Sequence, residues 1–500
     1  MKKWYKIKKY PHIGSQLTTN DYSRIKAYVM NTENVETHSF KPFIKRVEVK
    51  RRYRKQYVDG ILINRKRIKV LKTREIYFAS HLDSMIYSYY SDLLQKKYNK
   101  ALNRNKLEKV VTAYRRIKKP CSNKGKCNID FANEVFVYIN QKTNECNHQV
   151  AIAFDIKGFF DNLNHKKIKK SWASIIEEPL PKHHYQVFKS ITQFSFVKEE
   201  LLFKLFKNQI IVERYKDSYK NEKILVPKKI DKIKYFKEKR AVSFAINPSD
   251  MELIRKSGLI NANRFDKNGK PREVGIPQGS PISSTLANIY MLEFDKEMNN
   301  FVLSNNAIYR RYSDDMLVVC NLKDKDYMIK HFEESIFNIC NLEIQQHKTQ
   351  VFHFINSFKG IVCYQEFETH CTKNRNLEYL GFRFDGENVL LKNSSISSYY
   401  RKLKRSINRS KFYAKRTSNL NYRNKIFKSR LFDRYTIIGS HRKRKIVRDK
   451  NDKSKFHILK YYNYGNYITY VNKAIQSIKN DGIKKQLKKH WKIFNDELKK

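Results

Sequence analysis

Short apolar runs that end in aspartate are the feature that most constrains the fold of this chain. Residues 150–154 form one such run and are followed by Asp155, whereas residues 307–312 and 316–320 flank the triplet Ser-Asp-Asp at 313–315. An uninterrupted apolar run of this length is typical of a strand buried on both faces. The sequence therefore predicts two acidic strand tips that meet at one edge of a single sheet.

The charge of the chain predicts a polyanionic partner. Its 104 Lys and Arg residues outnumber its 48 Asp and Glu residues and give a net charge of +56. The lysines are spread along almost the whole length, so the basic surface belongs to the folded body rather than to a tail. Because 40% of the 500 residues are hydrophobic, the chain can bury a large core. We expect a long basic channel for nucleic acid.

No segment approaches the roughly 18 uninterrupted apolar residues that a membrane span requires, so we expect a cytoplasmic protein without membrane contact. The seven cysteines are an odd number, which favours reduced thiols. Cys121, Cys127, Cys146 and His148 are an alternative zinc set. Their irregular spacing favours free thiols over a metal site.

The remaining sequence predicts several further elements. A hairpin is expected within residues 57–68, and the apolar spacing over 76–94 predicts an amphipathic helix. Residues 200–240 are rich in Lys and Tyr with little regular pattern, which indicates an inserted basic element. The chain after residue 396 is basic and mainly helical, with a loop expected at 439–455.

Aspartates at strand tips fit the chemistry of nucleotidyl transfer. This reaction uses two divalent ions about 3.5–4 Å apart. Mg²⁺ prefers hard oxygen ligands and accepts few protein contacts. An Asp-Asp pair is also ordinary turn chemistry, but it does not stand alone here. Residues 153–161, 275–288 and 311–319 occur in the order of motifs A, B and C of the reverse transcriptase family, which the sequence resembles.

The resemblance implies an α+β right-hand polymerase fold, in which the palm carries the catalytic aspartates on an antiparallel sheet. Residues 1–70 would be a basic N-terminal extension, and residues 71–149 would be the fingers. The palm would span residues 150–390, with a fingers insertion at about 195–274. Residues 391–500 would form a helical, basic thumb that binds RNA.

The same resemblance implies the catalytic residues and their metals. It requires two Mg²⁺ ions, for which Mn²⁺ is a possible substitute, and a lysine of motif D that protonates the leaving pyrophosphate. The implied catalytic residues are Asp155, Asp314, Asp315 and Lys348, and the implied metal ligands are Asp155, Asp314, Asp315 and Ile156.

Nucleotide contacts follow from the same motifs. Phe160 occupies the place of an aromatic steric gate that selects deoxynucleotides, although Phe159 beside it is an alternative because neighbours on a strand face opposite ways. Other implied nucleotide contacts are Gln278, Gly279, Arg74 and Arg115. Ser280, Ser283 and Ser284 either cap the helix that begins near Ser283 or contact the nucleotide. The implied primer contacts are Tyr312, Tyr379, Leu380 and Gly381.

The branch of the family is suggested by residues 73–83, 111–115 and 128–132, which look like the unassigned and abortive-infection-like bacterial reverse transcriptases. That resemblance implies DNA synthesis from dNTPs on a structured non-coding RNA as part of an antiviral defence system. A homo-oligomer and a second defence protein are open possibilities. The alternatives are a group II intron-type maturase and a catalytically silent RNA-binding scaffold. The tyrosines at 461–467 are either a priming or stacking site or ordinary packing.

Overall fold

A computed structural model describes residues 4–500 except 59–60, 121, 218–221, 266–268, 374, 450–451, 453 and 464. Helices and strands alternate irregularly along the chain, which confirms the expected mixed α and β class. Two compact units share the chain. Unit 1 comprises Met1–Arg115, Ile152–Val318 and Lys323–Thr349, and unit 2 comprises Arg116–Ala151, Val319–Leu322 and Gln350–Lys500.

The helices range from one turn to more than six turns. Of those that the structure describes, none combines the length and the apolar character needed to span a bilayer. The α-helices are α1 (Tyr22–Met30), α2 (Thr32–Glu36), α3 (His81–Arg104), α4 (Asn128–Cys146), α5 (His165–Ile176), α6 (Lys182–Thr192), α7 (Glu199–Phe206), α8 (Phe236–Lys239), α9 (Pro248–Lys256), α10 (Ser283–Tyr290), α11 (Leu292–Ser304), α12 (Lys325–Cys340), α13 (Asn393–Lys415), α14 (Ser429–Tyr435), α15 (Tyr467–Ile478), α16 (Asp481–Leu487) and α17 (His490–Lys499).

The strands are mostly short, apart from two long ones near the N-terminus. They are β1 (His12–Ile13), β2 (Phe43–Val58), β3 (Ile61–Phe78), β4 (His148–Asp155), β5 (Ser195–Lys198), β6 (Ile210–Asp217), β7 (Glu222–Lys228), β8 (Ala241–Ala245), β9 (Asn261–Ala262), β10 (Ile308–Tyr312), β11 (Asp315–Asn321), β12 (Gln350–Ser357), β13 (Gly360–Glu366), β14 (Cys371–Thr372), β15 (Leu377–Tyr379), β16 (Phe382–Phe384), β17 (Val389–Leu391), β18 (Lys443–Arg448) and β19 (Phe456–Asn463).

The strands that carry the aspartates are formed as the apolar runs predict. β10, β11 and β4 are neighbours in one sheet, in that order, and the turn between β10 and β11 consists of Ser313 and Asp314. The central apolar residues of β4 and β11 are almost all buried, which explains why the sequence there is nearly continuous in hydrophobic side chains. The predicted strands at residues 150–154, 307–312 and 316–320 are confirmed.

The long ribbon of β2 and β3 is the largest regular element of unit 1. The two strands pair antiparallel from Ile44 opposite Phe78 to Val58 opposite Ile61, and β2 also pairs in parallel with β5. A hairpin near residues 57–68 is therefore confirmed, and the ribbon continues through residue 70, where the sequence suggested a domain boundary. The helix expected over 76–94 begins only at His81, because Ser80 caps α3 by accepting a hydrogen bond from the backbone N–H of Asp83.

Residues 200–240 are more regular than their composition suggested. They contain α7, β6, β7 and α8, and β6 lies in a sheet of order β1-β8-β6-β7. A separate hydrophobic cluster holds this part of unit 1, with Leu202, Phe206, Ile210, Val212 and Phe236 among its buried members. The sequence pattern is weak here because the apolar residues are spaced widely between lysines, and yet they share one core.

The described part of unit 2 contains strands of the sheet that includes β12, a three-stranded sheet, a two-stranded sheet and a helical cluster. β12, β13 and β14 are consecutive neighbours, as are β15, β16 and β17. Buried residues of α13, α14, α15 and α17 pack together and support the predicted helical character after residue 391. The loop expected at 439–455 was wrong, since β18 begins at Lys443 and pairs antiparallel with β19. Arg and Lys dominate β18, so its sequence lacks the apolar alternation that usually indicates a strand.

Candidate active site

Three aspartates lie on neighbouring strands of unit 1. Asp155 is the last residue of β4, Asp314 lies in the turn after β10, and Asp315 is the first residue of β11. Asp155 and Asp314 are half-buried, and Asp315 is exposed. Ser313 adopts a positive φ of 64°, which reverses the chain within two residues and brings the Asp-Asp pair to the tip of the hairpin. The carboxylates therefore remain accessible at the sheet edge.

A fully buried ion pair supports the turn that carries Asp314. The guanidinium of Arg311 in β10 donates to both carboxylate oxygens of Asp295 in α11, at 2.7 and 2.5 Å. It also donates to the side-chain oxygen of Asn288 and to the backbone carbonyl of Ser313, both at 3.2 Å. Although burial alone would lower it, the adjoining Asp295 carboxylate raises the pKa of Arg311. The guanidinium therefore stays charged and fixes the carbonyl of Ser313.

Sequence reasoning missed this supporting network. Asn288 was read only as the end of motif B and Arg311 only as the start of motif C, and Asp295 was not singled out. Asn288 also donates to the carbonyl of Ala113 at 3.0 Å, and the hydroxyl of Tyr309 donates to Asp295 at 3.0 Å. The available signal was the position of Asn288, Asp295 and Arg311, each inside an apolar segment, because a buried charge requires a partner.

Lys348 lies directly against Asp155. Its Nζ donates to the Asp155 carboxylate at 3.0 Å, with side-chain exposures of 49% and 32%. The backbone N–H of Gln345 donates to the carbonyl of Asp155 at 2.9 Å, and Ile156 forms a bridge with Ile344. The segment that bears Lys348 is thus tied by backbone hydrogen bonds to the end of β4. Ile156 is buried and apolar, so it offers a metal only its backbone carbonyl.

The ribbon of β2 and β3 contributes a cationic patch near this pair. Partial burial, followed by the charges of Arg74, Arg52 and Lys348, lowers the pKa of Lys72, while Asp155 acts in the opposite direction. Lys72 and Arg74 are both exposed and share one face of β3, because alternate residues point the same way. A cation cluster beside carboxylates is suited to a phosphate chain that is bridged to them.

The loop after Asp155 is joined to the loop of motif B. The backbone N–H of Ile276 donates to the carbonyl of Phe160 at 2.9 Å, and that of Gly275 donates to the carbonyl of Leu163 at 2.9 Å. Phe159 is buried, whereas Phe160 is half-buried and contacts Phe159 edge-on. Of the two rings, only that of Phe160 retains accessible surface of the kind that a steric gate needs.

Gln278 and Gly279 lie against the ribbon. The carbonyl of Gln278 accepts the backbone N–H of Tyr77 at 2.8 Å, and a side chain at Gly279 would meet the carbonyl of Tyr77 at 2.8 Å. The φ of Gly279 is +116°, so both space and conformation require glycine. Helix α10 begins at Ser283 as expected, but the hydroxyl of Ser283 donates to the carbonyl of Pro277 at 2.7 Å.

The two arginines that sequence analysis assigned to the triphosphate differ in their surroundings. Arg74 is exposed in the cationic patch, whereas Arg115 donates to Asn99 and to the carbonyls of Glu108 and Val111 at 3.0, 3.0 and 2.6 Å. Burial lowers the pKa of Arg115. These bonds favour a structural role for Arg115. The preceding Tyr114, which sequence analysis did not select, accepts a hydrogen bond from the Ser313 hydroxyl at 3.3 Å.

The primer contacts suggested by the sequence fall in different places. Tyr312 ends β10 in unit 1 and is half-buried. In unit 2, Tyr379 is buried, and Leu380 and Gly381 form the turn between β15 and β16 with φ values of 46° and 93°. Two positive φ values define the turn of a tight hairpin, which places Leu380 and Gly381 at its partly exposed tip.

The donor set fits magnesium when other ligands complete the coordination. Within the described ranges, no three His, Cys, Asp or Glu side chains form a closed metal site by themselves. Asp155, Asp314 and Asp315 nevertheless supply hard oxygen donors on adjacent strands, and the ammonium of Lys348 already compensates one of them. Mg²⁺ commonly takes one or two carboxylates and receives its remaining ligands from phosphates and water. The zinc set is not assembled among the described residues, and Cys121 lies outside them.

Strand-tip carboxylates beside a cationic patch have the chemistry of a site that binds phosphates and divalent ions, as in nucleotidyl transferases. A family model described as "Reverse transcriptase (RNA-dependent DNA polymerase)" matches residues 227–384, about a third of the chain. Residues 227–384 are therefore similar to a reverse transcriptase domain. The match includes Gln278, Asp314, Asp315 and Lys348, whereas Asp155 lies outside it.

Telomerases are among the solved structures that have some likeness to the chain. No curated protein sequence matches the chain. Solved structures with some likeness include apo telomerase from Candida tropicalis, at 14% identity and a TM-score of 0.36, covering 80% of this chain and 60% of that one. Telomerase from Candida albicans in complex with a fragment of telomeric RNA has 11% identity and a TM-score of 0.35, and the likeness covers 77% of this chain and 52% of that one. The likeness thus covers little more than half of the length of these two structures.

Proposed function

We propose that this protein is an RNA-directed DNA polymerase whose active centre is formed by Asp155, Asp314 and Asp315. The observation that carries the proposal is the meeting of the Asp-Asp turn of the matched reverse transcriptase domain with Asp155, on an adjacent strand, and Lys348. The buried Arg311 pair gives this turn a fixed support, which a catalytic carboxylate needs in order to keep its position.

Two Mg²⁺ ions, or Mn²⁺ as a substitute, would be held by the three carboxylates and the carbonyl of Ile156. Bound there, they would lower the pKa of the attacking 3′-hydroxyl and stabilise the charge on the phosphates. The protein residues hold this site open on the sheet edge, since Asp155 is only half-buried and Asp315 is exposed.

The cations around the carboxylates have separate roles in the proposal. Lys72 and Arg74 would hold the triphosphate from the ribbon, because their charges add to one another beside Asp155. Lys348 would exchange its bond with Asp155 for one with the departing pyrophosphate and would donate a proton to it. Arg115 would support the fold near the site, given its bonds to backbone carbonyls.

Selection of deoxynucleotides would depend on Phe160. Its ring is half-buried, and its carbonyl is bonded to the loop that carries Gln278 and Gly279. The two loops would therefore form one wall around the sugar. Tyr312 would contact the primer end, and the tip at Leu380 and Gly381, with Tyr379 behind it, would contact the primer strand.

The experiment that tests the activity is incorporation of labelled dNTPs with Mg²⁺ by purified protein that carries its co-purified RNA. The wild type should make DNA, and the Asp314→Ala, Asp315→Ala double variant should make none while it retains RNA. Absence of synthesis by both proteins, with added RNA primer-template as well, would favour the silent scaffold.

We propose further that the enzyme copies a structured non-coding RNA in bacterial antiviral defence. The support is the resemblance of residues 73–83, 111–115 and 128–132 to defence-associated enzymes, together with the net charge of +56. Fingers, palm and thumb would follow the boundaries at residues 70, 149 and 390. Cells that express the wild type should resist phage infection, whereas the double aspartate variant should not. A neighbouring intron and binding to its RNA would instead indicate a maturase.

A further inference from the structure

The antiparallel pair of β18 and β19 in unit 2 has an unusual surface. Ile446 lies opposite Ile458, Arg448 lies opposite Phe456, and these residues share one face because they are two apart along each strand. Ile446, Phe456 and Ile458 are 61%, 57% and 64% exposed. Exposed apolar side chains that adjoin each other in this way indicate an interaction surface.

Arginines lie over two rings of this ribbon. The guanidinium of Arg448 is 5.1 Å from the ring centre of Phe456, and that of Arg442 is 4.0 Å from the ring centre of Tyr462. Arg444 lies 5.9 Å from the same Tyr462 ring. Each ring is therefore accompanied by a cation at its face, an arrangement that suits a partner with both flat rings and negative charge.

Two carboxylates of this region contact basic side chains. Asp449 contacts His457 at 3.0 Å, and Asp433 contacts Lys443 at 3.5 Å. The arginines stacked on the rings thus add to an excess of positive charge. An apolar partner protein would gain nothing from these cations, whereas a phosphate backbone would pair with them.

The spacing of the rings also fits a nucleic-acid strand. Phe456 and Tyr462 pair with Arg448 and Arg444, which are four residues apart on β18 and therefore about 13 Å apart along that strand. Proteins that bind single strands combine aromatic platforms for the bases with cations that follow the backbone. A duplex keeps its bases stacked on each other and presents only its phosphates to such a surface.

We propose that the ribbon of β18 and β19 is a stacking platform for a single-stranded segment of RNA or DNA. The proposal rests on the proposed function in taking a nucleic acid as the partner, but it concerns a surface of unit 2 that is distinct from the carboxylate site. Failure of DNA synthesis would therefore leave it untouched, provided that binding is measured directly.

The test compares the Phe456→Ala, Tyr462→Ala double variant with its parent, in an Asp314→Ala background that removes catalysis. The matched control is Phe358→Ala, since Phe358 is an exposed ring elsewhere in unit 2. Probes are a 20-nucleotide unstructured RNA, the DNA of the same sequence and a duplex, each labelled for fluorescence anisotropy. We expect single-strand binding to weaken about 10- to 100-fold, with duplex binding and the control unchanged. Comparison of the RNA and DNA arms identifies the preferred strand.

A second variant separates stacking from simple apolar contact. Phe456→Leu with Tyr462→Leu keeps the apolar character of the face and removes the rings, and should lose the same affinity. Single-strand affinity that is unchanged in both double variants, or that falls equally for the duplex, would overturn the proposal. Retained affinity in the leucine variant alone would also overturn it, because the rings would then have no specific role.

Discussion

Two carboxylate–cation pairs in unit 1 share their chemistry and differ in their surroundings. Arg311 and Asp295 are completely buried and joined by two hydrogen bonds, whereas Lys348 and Asp155 are 49% and 32% exposed and joined by one. A buried pair resists separation because each ion would be left without solvent, whereas an exposed pair can exchange partners at little cost. Burial thus distinguishes the residues that support the site from the groups that are proposed to react there.

The largest expected effect is on activity at the exposed site. In the proposed site Asp314→Ala removes a carboxylate that would hold a metal ion and so stabilise the transition state, and dNTP incorporation should therefore fall by about a thousandfold or more. Its free energy of unfolding should stay within about 0.5 kcal/mol of the wild type, because the side chain is partly exposed. A large loss of stability, measured by urea denaturation, would place Asp314 with the supporting residues instead.

The buried pair should show the opposite division. Arg311→Met leaves Asp295 buried without its cation, and we expect a loss of about 3–5 kcal/mol in the free energy of unfolding. Replacing both residues, as Arg311→Met with Asp295→Leu, should recover at least half of this loss because no ion is left unpaired. Denaturation of the single and double variants checks both results, and equal losses in the two would contradict the argument from an uncompensated charge.

Lys348 should affect the rate and hardly affect the fold. Lys348→Ala removes the proposed proton donor and should slow incorporation about a hundredfold. Stability should change by less than about 1 kcal/mol, since an exposed ion pair contributes little. Lys348→Arg keeps the charge but is a poor acid, so the arginine variant should resemble the alanine variant. Near-normal synthesis by the arginine variant would indicate an electrostatic role alone.

The smallest effect concerns the response of the buried surroundings to acid. Burial lowers the pKa of His81 to about 4, against the opposing effect of the Tyr10 carbonyl. The unfolded chain takes up a proton near pH 6.5 and the folded chain does not, so stability should fall as pH decreases from about 6.5 towards 4. Between pH 6.5 and 5 the loss should be about 2 kcal/mol. His81→Gln should reduce this slope of stability against pH, whereas His347→Gln, at an exposed position, should not. An equal reduction in the two variants would contradict the assignment of the slope to His81.

The sequence predicted the parts of the site that repeat simple rules. An apolar run that ends in an acid predicted β4 with Asp155 at its tip, and the turn between β10 and β11 followed from the Ser-Asp-Asp triplet. Gly279 was selected from its place in motif B, whereas its close approach to the Tyr77 backbone is visible only in the folded chain.

The partners in these contacts were not predictable, because each contact joins two different elements of the fold. The Arg311–Asp295 pair links β10 to α11, and the Lys348 contact spans nearly two hundred positions. The strand β18 was missed for another reason, because its lysines and arginines follow no alternation of apolar and polar residues. Its formation depends on cross-strand contacts such as Ile446 with Ile458, which become visible only in the folded chain.

Asp155 lies outside the residues that the family model matches. We nevertheless propose that it belongs to the same catalytic centre as Asp314. The most direct test is single-turnover dNTP incorporation by Asp155→Asn, with RNA affinity measured on the same preparation and Asp326→Asn as an exposed control in unit 1. We predict that synthesis is lost in Asp155→Asn while RNA affinity and the control remain normal. Wild-type synthesis by Asp155→Asn would show that the Asp155 carboxylate does not belong to the catalytic centre.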